Sequence, residues 1–155
     1  MVRDACEGWG KTVLMTGATG YLGTNLIKTL LRTRWVEEVV ALCRDDEKAN
    51  RLWTLAGSER LRLLSWQDLI DGPLFFGQID ILCHAAFGRS ENGRLNTADG
   101  LARTLELATL IAKFQLPAVL NISCQAVYGL SRPPLWSEDI PPVPETPYAA
   151  SKWAT

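Results

Sequence analysis

Histidine is nearly missing from this sequence: His84 is the single one, which excludes a His-rich metal cluster. Cysteine is sparse. Cys6, Cys43, Cys83 and Cys124 lie far apart and form no CxxC pair. Three of them fall inside or at the ends of apolar runs, where a free cysteine acts as a small hydrophobe. That usage predicts buried thiols in a reducing compartment, hence a cytoplasmic protein. No apolar run approaches the roughly 20 residues of a membrane helix, so no membrane span is expected. The stretch from Met1 to Gly10 carries Asp4, Glu7 and Trp9 without an apolar h-region, and so does not read as a signal peptide. Charge of one sign is lacking too. A net charge of −1 gives no field that would gather nucleic acid or an anionic membrane. What remains is a chain of 155 residues, 47% of them hydrophobic, enough for one globular domain.

Short apolar runs alternate with longer amphipathic ones. Thr12–Thr16, Val36–Cys43, Arg60–Ser65, Ile79–His84 and Pro117–Ser123 read as strands. Tyr21–Thr33 reads as a helix with Leu22, Leu26, Ile27, Leu30 and Leu31 on one stripe. Asp45–Ala56 is a weaker helix with an acidic start, stopped by Gly57. Asn96–Gln115 is a long one, with Leu101, Leu105, Ala108, Leu110 and Ala112 available for burial. Strands apolar on both faces, separated by helices, predict parallel pairing with helices on both sides. Right-handed crossovers then make a Rossmann-type doubly wound α/β sheet. The prolines at 133, 134, 141, 142, 144 and 147 mark Leu130–Pro147 as a surface loop or flap.

Between the first strand and first helix stands Thr16-Gly17-Ala18-Thr19-Gly20-Tyr21-Leu22-Gly23. A diphosphate must approach bare backbone at a helix N-terminus, where free N–H groups and the helix dipole favour an anion. A Cβ at Gly17 or Gly20 would obstruct the turn or the phosphate, and Gly23 would let the helix lie close to the sheet. A glycine-rich turn without any ligand is the plainer alternative. The TGxxGxxG spacing resembles that of the extended short-chain dehydrogenase/reductases, the NAD-dependent epimerase/dehydratase family. The likeness runs from Thr12 to Lys152.

That resemblance implies a nicotinamide cofactor held by Gly17, Thr19, Gly20, Tyr21, Leu22 and Gly23. An acid at the end of the second strand would hold the ribose 2′-OH of NAD. Cys43 stands there and Arg44 follows, whose planar fork suits a 2′-phosphate. NADP is therefore favoured, although Asp45 or Asp46 in a shifted register would restore NAD. Asp68 and Leu69 fall where the family meets the adenine. An ordinary helix cap explains Asp68 as well. After the fourth strand, Ala85 and Ala86 resemble the family's small-residue turn beside the cofactor, and His84 reads as structural.

Tyr148-Ala149-Ala150-Ser151-Lys152 is a YxxxK pattern, and positions i and i+4 share a helix face. A tyrosine titrates near 10, too high for a base at neutral pH. A neighbouring ammonium favours the phenolate and brings it toward a useful range. The resemblance implies that Tyr148 exchanges a proton with a substrate hydroxyl or keto group while hydride moves to or from the nicotinamide, with Lys152 on its ribose. Val127-Tyr128-Gly129 and Pro144-Glu145-Thr146-Pro147 resemble the segments around that tyrosine. The chain departs from the family where Ser or Thr should hydrogen-bond the reacting oxygen. Cys124 stands there, preceded by Ser123, and a thiol is a weak donor. Asn96 lies one residue off the family's asparagine position and is given no role.

The implied function is an NAD(P)-dependent oxidoreductase or epimerase/dehydratase acting on a small molecule, possible targets including a sugar nucleotide. A non-catalytic dinucleotide-binding or redox-sensing module is the alternative, and a plain α/β interaction domain a third. Ending at Thr155 within the YxxxK helix, the chain reads as truncated before a C-terminal substrate lobe. Substrate identity and a homodimer of a full-length form therefore stay open.

Overall fold

The computed structural model describes residues 10–44, 46–72, 77–87, 94–131 and 136–154, with backbone alone at 94–97. Cys6, Asp45, Pro133, Pro134 and the side chain of Asn96 lie outside the described residues. The strands are β1 (Lys11–Thr16), β2 (Val36–Cys43), β3 (Leu61–Ser65), β4 (Ile81–His84) and β5 (Ala118–Asn121). The helices are α1 (Tyr21–Leu30), α2 (Asp46–Ala56), α3 (Trp66–Asp71), α4 (Arg94–Phe114) and α5 (Pro147–Trp153). One sheet carries the described strands in the order β3-β2-β1-β4-β5. The β1–β2, β1–β4 and β2–β3 ladders are parallel. This is the predicted Rossmann-type sheet. Its order reverses beside β1, where the chain crosses from β3 back over β1 to β4.

The apolar sequence of the central strands explains their place. Val13, Leu14 and Met15 on β1 and Val39, Val40 and Ala41 on β2 are buried on alternating faces. Each large side chain of that kind contributes roughly 1.5–3 kcal/mol when buried. On α1, Ile27 is buried and Leu26 and Leu30 pack partly against the same core. Lys28 occupies its last turn, where a cation complements the helix dipole.

Several expectations need correction. Leu22 is 44% exposed, so the buried stripe of α1 starts at Gly23. On α4, Leu105 is 61% exposed and Ala108 and Ala112 face solvent, while Leu107, not among the expected residues, is buried. A helix stripe follows the surface it meets, and the leucine pattern of α4 offers more than one. The fifth strand is shorter than expected and is not buried: Val119 and Leu120 are 47% and 54% exposed. It stands at the sheet's edge, and sequence alone does not tell edge from centre.

Chain contacts group the residues into two compact units. One holds residues 1–86 and 110–120, and the other holds residues 87–109 and 121–155. Among the described residues, no helix is long and apolar enough to cross a membrane.

Asp80 ties the entry of β4 to that of β1 within the first unit. Its carboxylate meets Lys11 Nζ at 2.9 Å and accepts the Thr12 N–H at 2.9 Å. Burial alone would raise its pKa, but these two hydrogen bonds and the Lys11 charge outweigh it and hold the carboxyl below its ordinary value. A depressed carboxyl contributes stability above its unfolded pKa and loses it as pH falls through the folded one. We therefore expect Asp80→Asn to lower stability at pH 7 and to flatten the acid side of the stability–pH curve. Urea unfolding at pH 7 and pH 3 measures both, and an unchanged slope would contradict the assignment.

Candidate functional site

Each unit carries its own group of candidate residues. In the first, β1 ends at Thr16 and the chain turns through Gly17, whose φ of +69° lies in the left-handed region. A Cβ at Gly17 would come within 2.7 Å of the backbone of Ala85 and Ala86. The turn after β1 thus meets the turn after β4 main chain to main chain, which is what the small residues there allow. Thr16 holds the junction. Its Oγ1 lies 2.7 Å from His84 Nδ1 and accepts the Ala86 N–H at 3.1 Å. His84 is buried. Thr24 closes the turn from the helix side, donating to the carbonyl of Ala18 at 3.2 Å.

The other two glycines differ from each other. A Cβ at Gly23 would overlap the carbonyl oxygen of Gly17, so the fold itself demands glycine there. Gly20 is exposed and has φ −78° and ψ 168°, values any residue adopts. A Cβ there would meet only the Gly17 oxygen, at 3.3 Å. A side chain at position 20 therefore needs the Gly17 carbonyl to shift by only a few tenths of an ångström. What its bare backbone leaves open is the N-terminus of α1. Among the described residues no side chain caps that end, and its first turn holds no acidic residue. Uncapped N–H groups and an unopposed dipole make this the place in the first unit that suits an anion.

The remaining candidates of this unit are scattered in character. Thr19 is half-buried, and Tyr21 and Leu22 are exposed. Arg44 is exposed just past the buried Cys43 at the end of β2. Thr19 also lines a surface depression with Thr24, Lys48, Arg51, Leu52 and Leu55. Asp68 takes part in starting a helix, as the N3 partner of the N-cap Ser65. Its carboxylate bonds the Ser65 N–H at 3.3 Å and Oγ at 2.6 Å, while Ser65 Oγ accepts the Asp68 N–H. That reciprocal capping box starts α3, a helix the sequence reading left out. Leu69 is fully buried, so its side chain serves the core. Cys43 and Cys83 are free and buried, and burial pushes both thiols up in pKa.

In the second unit, α5 starts as its sequence directs. Thr146 caps it by accepting the Ala149 N–H at 3.1 Å, and Pro147 fills the first turn. Glu145, just before, accepts the N–H groups of Leu130 and Ser131 at 3.1 and 3.2 Å. The Val143 N–H reaches the Val127 carbonyl at 2.9 Å. These bonds pin the proline-rich segment to the 3-10 turn Gln125–Tyr128, so it is an ordered loop where it is described.

Tyr148 and Lys152 sit one helical turn apart on α5, as the YxxxK spacing predicts. Lys152 is buried, only 5% exposed, and its Nζ donates to the Ile122 carbonyl at 2.7 Å. Burial pulls its pKa below the ordinary lysine value, and the neighbouring Cys124 works the other way. Cys124 is half-buried and Ser123 is exposed. Phe87 completes the group. Its ring meets that of Tyr148 edge-on, with centroids 5.6 Å apart, and lies 4.8 Å below the Lys152 ammonium. The contacts of Phe87 and Ile122 with α5 were not foreseen from the sequence, and Thr16 was read only as part of the glycine motif. The one signal for Phe87 was its place after Ala85-Ala86.

A parallel sheet in this order, with a glycine turn between β1 and α1, defines a Rossmann-type α/β protein. The family model for the NAD dependent epimerase/dehydratase family matches residues 13–155. The chain belongs to that family. It is 30% identical to equisetin synthetase of Fusarium heterosporum over 99% of its own length and 4% of that protein. It is 27% identical to a dTDP-glucose 4,6-dehydratase of Streptomyces griseus, over 90% of this chain and 46% of the relative. Among solved structures, a UDP-N-acetylglucosamine 4-epimerase from Methanobrevibacter ruminantium aligns with a TM-score of 0.76 at 23% identity. That match covers 95% of this chain and 48% of the epimerase. The chain thus spans about half the length of the dehydratase and epimerase it matches.

Proposed function

We propose that this chain binds a nicotinamide dinucleotide and takes part in hydride transfer at a hydroxyl or keto group of a small molecule. A sugar nucleotide is the first class to try, because the dehydratase and epimerase relatives bear such names. The observation that carries the reading is Gly20: exposed, in an ordinary conformation, and bare at an uncapped helix N-terminus. The diphosphate would rest on the backbone N–H groups that open α1. Ala85 and Ala86 give the small-residue turn its close approach. When bound, the cofactor supplies the hydride acceptor or donor. Tyr148 holds the proton that balances it, and Lys152 lowers the cost of the phenolate by its charge. Cys124 stands where the family has a hydroxyl residue, with Ser123 beside it, and its weaker hydrogen bond would orient the substrate oxygen less firmly. The buried reduced thiols Cys43 and Cys83 suit a cytoplasmic setting.

We favour NADP over NAD. Arg44 at the end of β2 and the cationic Lys48 and Arg51 around the Thr19 depression support a 2′-phosphate. Titrating NADPH and NADH by tryptophan fluorescence tests this choice. Arg44→Ala should weaken NADPH by about 10-fold, the value of one hydrogen bond to a charged group, and leave NADH within about two-fold. Tighter binding of NADH by the unaltered chain would remove the 2′-phosphate assignment. Dinucleotide binding with turnover unchanged in Tyr148→Phe would favour a binding module.

A further inference from the structure

Phe87 touches both members of the YxxxK pair, and nothing in that motif calls for it. Lys152 has left water almost completely, and its ammonium keeps the Ile122 carbonyl as one acceptor. Against it stand that carbonyl, the Cys124 side chain and the Phe87 ring, and Tyr148 lies one turn back on the same helix. An aromatic face carries partial negative charge and attracts a cation within about 6 Å, more strongly once water is gone. The Lys152 nitrogen is 4.8 Å from the ring centroid. The edge of a ring carries partial positive charge, so two rings also prefer to meet edge to face. Phe87 and Tyr148 do so at 77°.

We propose that Phe87 is a positioning residue: its ring holds the Lys152 ammonium and fixes the plane of the Tyr148 phenol, so that the two act as one couple. The proposal rests on reading Tyr148 and Lys152 as the acid–base pair. It assigns Phe87 no contact with the reacting atoms. A leucine at this position would bury a similar apolar volume against the same ammonium and offer it no negative face. The lysine would then shed its proton more easily, and the phenol would lose the charge that favours its ionised form.

The test uses lysine carbon labels in the 155-residue chain, followed by NMR across pH, with Lys152→Met to assign the Lys152 signal. Phe87→Leu should lower the Lys152 titration midpoint by about half a unit to one and a half units. Phe87→Tyr, which keeps the ring face, should restore it. If Phe87→Leu unfolds, Phe87→Tyr and Phe87→Met give the same comparison with smaller steps. An unchanged midpoint in a folded Phe87→Leu chain overturns the proposal, whatever happens to its thermal stability. Where turnover is measurable, the acid limb of the kcat/KM profile should move to higher pH in Phe87→Leu and return in Phe87→Tyr. A shifted lysine midpoint beside equal turnover by the unaltered and Tyr148→Phe chains would sustain the Phe87 contact and refute the catalytic reading, so the two failures are told apart.

Discussion

Replacing Tyr148 by phenylalanine should lower kcat by about 10²–10⁴-fold, the usual contribution of a positioned acid or base. Cofactor affinity should stay within about two-fold, because the substitution removes one oxygen and keeps the ring. The edge-on contact with Phe87, the capped start of α5 and the Lys152 bond to Ile122 do not need that oxygen. The comparison to make is NADPH oxidation with a panel of ketones and 4-keto sugar nucleotides, by the chain with and without Tyr148→Phe. Equal turnover in both would remove Tyr148 from the chemistry. A loss of cofactor affinity as large as the loss of rate would instead assign it a binding role.

Gly20→Asp should have the opposite profile, abolishing binding without harming the fold. The position is exposed, its backbone angles suit any residue, and an added Cβ meets a single atom at 3.3 Å. Aspartate is moreover a favoured N-cap, which offsets the small shift asked of the Gly17 carbonyl, so thermal stability should change little. Its carboxylate, however, would take the N–H groups proposed for the diphosphate and set a like charge against it. Affinity for NADPH and NADH should fall about 100-fold or more, equivalent to about 2.7 kcal/mol. A chain that keeps its stability and loses the dinucleotide would show that glycine is kept at 20 for the ligand. Equal affinity in both chains would return Gly20 to the role of an ordinary turn residue. Gly23 makes the contrast, since any side chain there collides with the Gly17 carbonyl and would damage fold and binding together.

Much of this was legible in the sequence, for reasons that differ from element to element. The valines of Val36–Cys43 marked β2 from end to end because a central parallel strand is buried on both faces. The Tyr148–Lys152 spacing placed both residues on one helix because local periodicity is enough for that. Ser65 and Asp68 carried a capping-box pattern, yet α3 is too short for a periodic apolar signal to announce it. β5 was misjudged in its burial because Val119 and Leu120 have the composition of a core strand, and edge position depends on which other strands are present. Leu22 and Leu105 failed likewise: each lies on a helix with apolar residues to spare. Ile122 carried no signal and Phe87 only its place after Ala85-Ala86, since each meets α5 across a long stretch of chain.

The most direct measurement is an amide NMR titration of the ¹⁵N-labelled chain with NADPH, beside inorganic pyrophosphate. Shifts should concentrate on the N–H signals from Gly17 to Gly23 at the opening of α1, be reproduced in part by pyrophosphate, and disappear in Gly20→Asp. A titration that leaves those seven residues still while others move, or that moves nothing, would contradict the assignment of a dinucleotide to this turn.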